Sequence, residues 1–353
     1  MKRYRWIPAI IATVLLSACA PNLTPDTELT QESDSDQAVE TTIIPNMQIN
    51  DKFYRTLIPY KESASRGLVV SNIYTKYDMK EVETGLMRIS QNHFDTENYY
   101  FQEGQYLDET TLKYWLARPN QTEDKGPEYQ GLNPSSIDEE TGEEMDPTVK
   151  ATEAPVYLAH IIEQNYLTKT DDNKVKLGGV SIGLALNSIY YYQKEQYGEF
   201  FEQKIPDDEL EAAGKKIAQE VVNRLRARTD LADVPIVIAL FKQAERNAIV
   251  PGTYTDYNFV DKGTTALGDW KGIDERYVTF PMSSPEDIYR DLNKKFQDFK
   301  QDVDKYFSNF TSVFATGFYQ NKKVQKLDIE IPIQFYGTAE ITGFTQYLTG
   351  LML

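Results

Sequence analysis

The sequence predicts an α+β fold of two similar domains, each a mainly antiparallel sheet packed with helices. Three observations carry this. Apolar residues recur at helical spacing in some stretches and alternate strictly in others, which marks amphipathic helices beside half-exposed antiparallel strands. The order of helix, strands, proline-started helix and long alternating strand occurs twice, with Pro155 and Pro285 lying 130 residues apart. Finally, 353 residues suffice for two domains at about 150 residues each.

The chain opens on Lys2, Arg3 and Arg5, followed by an apolar run from Trp6 to Leu16 broken only by Pro8 and Thr13. A charged start, a short apolar core and small residues before a cut make a secretory signal peptide over residues 1–18. The run is too short for a transmembrane helix, which needs roughly 20 apolar residues. Leu16-Ser17-Ala18-Cys19 has the form of a lipobox, in which the cysteine takes a diacylglycerol and the peptide is cut just before it. An ordinary signal peptide containing a cysteine is the competing reading. Cys19 is the only cysteine of the chain, so no intramolecular disulfide or thiolate metal site is available. Two acyl chains at Cys19 would hold the protein to the membrane where one binds marginally. The expected location is therefore the cell membrane, lipid-anchored and facing outside, after processing by a lipid transferase and signal peptidase II.

Losing residues 1–18 removes three cations and takes the net charge from −17 to −20. A surface this acidic repels nucleic acid and anionic headgroups, so no nucleic-acid partner is expected.

Residues 19–50 are expected to be a disordered tether, because Ala20 to Glu40 is rich in Thr, Ser, Asp, Glu and Gln and poor in residues that fill a core. Such a coil of about 30 residues spans about 30 Å. The first domain is expected over 51–200 and the second over 201–353. In the first, residues 67–77 read as a strand, and Asp78 caps a helix with Val82, Leu86 and Ile89 on one face. Residues 99–107 and 110–118 read as a strand pair. Residues 120–152 form a long loop with the acidic run Asp138–Asp146. A helix is expected to open at Pro155 and run through Tyr166. Val180, Ile182, Leu184, Leu186, Tyr190 and Tyr192 then alternate along one strand.

Residues 193–206 read as the junction. Beyond it, Asp207-Asp208-Glu209 opens a helix with the stripe Leu210, Ala213, Ile217, Val221 and Leu225, closed by Arg224, Arg226 and Arg228. Residues 234–241, 252–260 and 277–280 are strand candidates. Ser284, Pro285 and Asp287 start a last helix carrying Ile288, Leu292, Phe296, Phe299, Val303 and Phe307. Leu327, Ile329, Ile331, Ile333 and Phe335 alternate along an edge strand that holds Pro332.

The catalytic inventory is thin, and no enzyme activity, cofactor or metal site is expected. His160 sits within the expected helix over 155–166 as a structural or surface-facing residue, and His93 lies in a loop where Asp95 can pair with it. Gly178-Gly179-Val180-Ser181-Ile182-Gly183 flows into a strand and not a helix, so it reads as a bend or bulge and not as a phosphate loop. The acidic run could hold a hard cation through its oxygens, but it lacks EF-hand spacing and reads as a solvated loop. The 24 tyrosines do not read as a glycan-binding surface, since they are spread along the chain and many sit at core spacings.

Gly131-Leu132-Asn133-Pro134, Ala154–Gln164, Gly179–Ser188, Val234–Ile238 and Val250-Pro251-Gly252-Thr253 resemble, in that order, the CamS-type sex-pheromone lipoproteins of Gram-positive bacteria. The resemblance implies a lipid-anchored protein with two similar repeat domains. It also implies that the heptapeptide Ala12-Thr13-Val14-Leu15-Leu16-Ser17-Ala18, released by cleavage, acts on a pheromone receptor of another cell. A spent signal fragment is the alternative for this peptide. For the chain as a whole, the rival readings are a solute-binding lipoprotein of a transporter and a cell-wall hydrolase, which would need a cleft with convergent polar groups and a carboxylate pair or metal site respectively.

Overall fold

In the computed structural model, which describes residues 27–31, 40–44, 50, 53–122, 126–306, 312–333 and 337–352, the chain has an α+β fold. In chain order the elements are β1 (Thr27–Gln31), β2 (Glu40–Ile44), β3 (Arg55–Thr56), α1 (Arg66–Asn72), α2 (Lys76–Ser90), β4 (Tyr100–Glu103), α3 (Glu109–Leu116), α4 (Pro147–Glu153), β5 (Leu158–Lys169), β6 (Lys174–Leu186), β7 (Ile189–Gln193) and β8 (Phe200–Lys204). After these come α5 (Asp207–Ala227), β9 (Ile236–Lys242), β10 (Thr253–Val260), β11 (Lys271–Gly272), β12 (Glu275–Phe280), α6 (Asp287–Tyr306), β13 (Phe314–Gln320), β14 (Lys323–Glu330) and α7 (Thr338–Met352).

A nine-stranded sheet in the order β11-β10-β9-β6-β5-β4-β3, with β1 on β6 and β2 on β1, forms the centre. Most pairs are antiparallel, while β6–β9, β3–β4 and β1–β6 are parallel. Helices cover both faces. On one, Leu210, Ile217, Val221 and Leu225 of α5 and Leu112 and Trp115 of α3 pack on Val180, Ile182, Leu184 and Leu186 of β6 and on Ile236, Ile238 and Leu240 of β9. On the other, Val82, Leu86 and Ile89 of α2 pack with Ala185, Val237, Ala239, Phe241 and Tyr254. The apolar run of β9 follows from burial on both faces, as for parallel strands generally. A second sheet, β12-β13-β14, packs with α6 and α7 around Phe280, Tyr289, Phe296, Val303, Tyr319 and Phe344. The β7–β8 hairpin stands as a two-stranded sheet of its own.

The alternation over 180–186, the helix stripe of Val82, Leu86 and Ile89 and the stripe of α5 are found as expected. At Gly178 the pairing skips from Tyr166↔Gly179 to Leu167↔Leu177, so the glycine stretch is a bulge in β6. A Cβ on Gly179 would sit 2.2 Å from the Phe94 ring, so the absence of a side chain lets that ring lie on the sheet.

Several expectations are corrected. Residues 67–77 form α1 and the start of α2, and the cap of α2 is Thr75, whose hydroxyl accepts the Asp78 N–H at 3.0 Å. Of residues 110–118, those up to Leu116 belong to the helix α3, started by Asp108, whose carboxylate accepts the Thr111 N–H at 2.8 Å. The helix expected over 155–166 is the strand β5. The expected loop over 120–152 ends in α4, capped by Asp146.

The expected long strand over 180–192 is split into β6 and β7, and the junction over 193–206 holds β8. Of the expected tether, β1 and β2 are paired strands whose Leu29 and Ile44 are buried with Leu57, Tyr100, Leu167 and Val175. Thr42, buried beside them, is β-branched and suits a strand. The helix expected to be the last is α6, which begins at Asp287, after Ser284 and Pro285, and buries Tyr289 while Ile288 is exposed. β13 and α7 were not anticipated. Because β9 pairs with β6 and β10 with β9, the main sheet runs across the boundary expected at 200–201.

Candidate functional site

The lipobox Leu16, Ser17, Ala18 and Cys19 and the segment Ala12–Ala18 lie outside the described residues. The chemistry-bearing residues singled out within the folded part are dispersed. His160 is buried in β5; neither ring nitrogen has a hydrogen-bond partner among the described residues, and burial pushes its pKa down to about 4. His93 stacks on Phe259, with centroids 4.3 Å apart and planes 4° apart, and burial, with Lys271 adding to it, lowers its pKa. Asp95 does not pair with it. Its Oδ1 instead accepts the N–H groups of Glu97 and Asn98 at 3.1 and 2.8 Å.

In the acidic run, Asp138 Oδ1 accepts the N–H groups of Glu140 and Thr141, and Glu144 is taken by Ser136 and Lys150. Among the described residues no group of three or more His, Cys, Asp or Glu side chains is placed to hold a metal ion. No helix among them is long and apolar enough to cross a membrane.

The densest charged cluster ties the two sheets together. Arg88 of α2 donates from Nε to Glu275 Oε1 at 2.8 Å and from Nη2 to Glu275 Oε2 at 2.6 Å, a two-point clamp on the first residue of β12. Its Nη2 also reaches Glu81 at 2.5 Å, and Tyr277 donates its hydroxyl to Glu81 at 2.6 Å. The guanidinium lies 4.6 Å from the Phe318 ring centroid on β13. Nearby, Asp78 accepts the N–H groups of Ala244 and Gly252 at 3.0 and 2.6 Å, and burial still pushes its pKa up to about 6.

A cleft of about 500 Å³ opens beside this cluster, lined by Glu275, Tyr277, Ser284, Glu286 and Tyr289 among others. Both carboxylates of the cluster are engaged by the one arginine. The cluster is thus a clamp between α2 and β12, with both carboxylates hydrogen-bonded to protein groups.

A second buried acid also serves the backbone. Glu163 of β5 accepts the N–H groups of Gln105, Tyr106 and Leu107 and the Asn165 side chain at 2.9 Å, holding the turn after β4, and burial raises its pKa to about 7.

Folding gathers aromatic residues at one surface feature, the β7–β8 hairpin. Its two faces differ. On one, Arg246 lies 4.0 Å from the Tyr191 ring centroid, 5.0 Å from Tyr74 and 5.3 Å from Phe200. Tyr74 meets Tyr191 edge-on at 5.1 Å, and the Arg246 N–H donates to the Tyr191 hydroxyl at 3.2 Å. This face anchors the hairpin to the body. On the opposite face, Tyr190 and Tyr192 lie with planes 7° apart and centroids 6.2 Å apart, and Phe201 completes the row 5.7 Å from Tyr192. Between this face and the start of α4 lies a cleft of about 320 Å³. The sequence signal was the run Ile189-Tyr190-Tyr191-Tyr192, which the expected long strand had absorbed.

Three comparisons bear on this architecture. The family model for the CamS sex pheromone cAM373 precursor matches residues 60–353. A crystal structure of a sex pheromone precursor from Lactobacillus salivarius subsp. salivarius is similar at 34% identity and a TM-score of 0.76, covering 87% of this chain and 86% of that one. A structure of the C-terminal domain of the sex pheromone staph-cAM373 precursor from Staphylococcus aureus is similar at 32% identity and a TM-score of 0.67, covering 79% of this chain and 86% of that one. No protein of curated function matches the chain.

Proposed function

This chain belongs to the CamS family, and from that membership we propose that it is an exported lipoprotein and a sex-pheromone precursor. In this reading the peptide is cut between Ala18 and Cys19, and acyl chains on the Cys19 thiol hold the folded part at the outer face of the membrane. The uncharged fragment Ala12–Ala18, small and apolar, suits passage through an envelope and an apolar receptor pocket. The folded part then acts as a surface body without catalysis. The observation that carries the reading is a lipobox placed directly after a charged and apolar leader, in a chain whose single cysteine closes that box.

The rival readings gain little support. A solute-binding lipoprotein needs free convergent polar groups, whereas Glu275 in the larger cleft is already bound twice by Arg88. Cells given labelled palmitate should label the wild-type protein and not Cys19→Ala. Label on that variant would remove the anchor from the proposal. For the signalling half, synthetic Ala12–Ala18 peptide should induce a mating response in a pheromone-responsive recipient, and silence in every such recipient would count against it.

A further inference from the structure

We infer that the cleft between the β7–β8 hairpin and α4 is a binding site for an uncharged glycan, recognised by stacking of its sugar rings on Tyr190 and Tyr192. The argument begins with the hairpin's construction. Successive same-face residues of a strand stand about 6.7 Å apart, so a Tyr-x-Tyr pair presents two rings to two neighbouring units of a linear polymer. Here the two rings are parallel within 7°. The Arg246–Tyr191–Tyr74 cluster fixes the hairpin from its other face, so the pair is held before any ligand arrives.

Charge decides against an ionic ligand. Lys150 is paired with Glu144, Lys194 lies 4.5 Å over the Phe201 ring, and Arg246 is enclosed by three rings. The nearby cations are thus already engaged by protein groups.

Polarity decides against an apolar peptide. The cleft is lined by Gln193, Lys194, Glu195 and Gln196 as well as the two tyrosines, and Pro147 is its one residue without a polar side-chain atom. An apolar chain would have to strip water from these groups without replacing their hydrogen bonds. A pyranose ring meets both demands. Its C–H face covers an aromatic ring, while its equatorial hydroxyls reach phenol and amide groups at the rim. Tyrosine supplies such a surface because its body is apolar and its tip is wet. The volume of about 320 Å³ lies within the usual range of small-ligand sites. This site does not depend on the lipid anchor, so it stands or falls separately from the proposal above.

The test is calorimetric titration of the full chain with chitotetraose and, in parallel, with cellotetraose, which lacks the acetamido groups. Binding of either, weakened about tenfold or more in Tyr190→Ala/Tyr192→Ala, is the expected result. Tyr190→Phe/Tyr192→Phe should keep most of the affinity, because the stacking surface survives. Tyr190 also packs against the main core, so Tyr192→Ala alone, with its thermal unfolding measured alongside, separates loss of binding from loss of folding and should itself weaken the sugar severalfold. The inference is overturned if neither sugar gives heat up to about 10 mM, or if the alanine variant binds as tightly as the wild type. It is overturned equally if an uncharged apolar peptide competes with the sugar for the same tyrosines.

Discussion

Arg88 is the residue on which the contact between the two sheets turns. It neutralises Glu81 and Glu275, whose side chains are 6% and 1% exposed, while keeping 26% of its own surface in water. Removing the guanidinium leaves two buried carboxylates without a counter-charge, a situation far costlier than the net worth of the bridge. Arg88→Met should therefore lower unfolding stability by about 3 kcal/mol, the low end for a broken buried pair. Urea denaturation measures it. Adding Glu275→Gln to that variant should recover part of the loss, because it deletes one stranded charge. If the double variant is less stable than the single one, the hydrogen bonds to Glu275 matter more than its charge. Gly179 shows the steric counterpart. With the Phe94 ring 2.2 Å from where a Cβ would sit, Gly179→Ala should cost about 1–3 kcal/mol in the same measurement. A neutral result would show that the ring moves aside freely.

At the scale of the element, β5 shows both what the sequence discloses and what it conceals. Tyr157, Leu158, Ile161, Ile162 and Tyr166 have helical spacing, yet the segment is a strand. The pairing skips between Leu158 and His160, so Leu158 and Ile161, three apart, belong to one core layer. Ile162 and Tyr166 belong to the other layer. A bulge in a strand buried on both faces thus imitates a helical stripe, because no solvent-facing residues remain to show the period of two. β6 was legible for the opposite reason: its layers differ in size, with Val180, Ile182, Leu184 and Leu186 alternating with Gly179, Ser181, Gly183 and Ala185. The clamp at Arg88 was not legible, since it joins residues 187 apart in the chain, and the Tyr190–Tyr192 pair was hidden in an apparent continuation of β6.

β5 also carries two buried groups with opposed titrations. A carboxyl raised to about 7 in the fold, as Glu163 is, holds its proton more tightly folded than unfolded, so stability falls as pH climbs from about 4.5 to about 7. A histidine lowered to about 4, as His160 is, does the reverse, and its contribution is lost as pH drops from about 6.5 to about 4. Asp78, raised to about 6, acts with Glu163. Between pH 4.5 and 6.5 the slopes oppose one another. His160→Leu should make stability fall more steeply with rising pH than in the wild type, and Glu163→Gln should make it rise or fall less. Chemical denaturation at several pH values reads the slope independently of each variant's own cost. Three parallel profiles would mean that neither group changes its protonation on unfolding.

At the scale of the whole molecule, the sheet decides what counts as a folding unit. β9 runs beside β6 from Val180↔Ile236 to Leu186↔Lys242, and α5 supplies the helical cover for the layer that β6 begins. A chain cut at 200–201 parts these partners. Residues 51–200 would keep β3–β6 but expose the β9-facing edge of β6, together with the apolar face that α5 covers, and such an edge invites association in place of folding. Residues 201–353 would keep the second sheet and its helices but leave β9, apolar on both faces, without its parallel neighbour. Neither piece alone should show the near-ultraviolet circular dichroism of the intact chain or strong protection of the β6 and β9 amides from exchange. Mixing the two from denaturant should restore part of both signals. If each piece instead unfolds cooperatively by itself with its amides protected, the β6–β9 ladder is an interface between two self-sufficient domains, and the repeated order of elements in the sequence marks those domains.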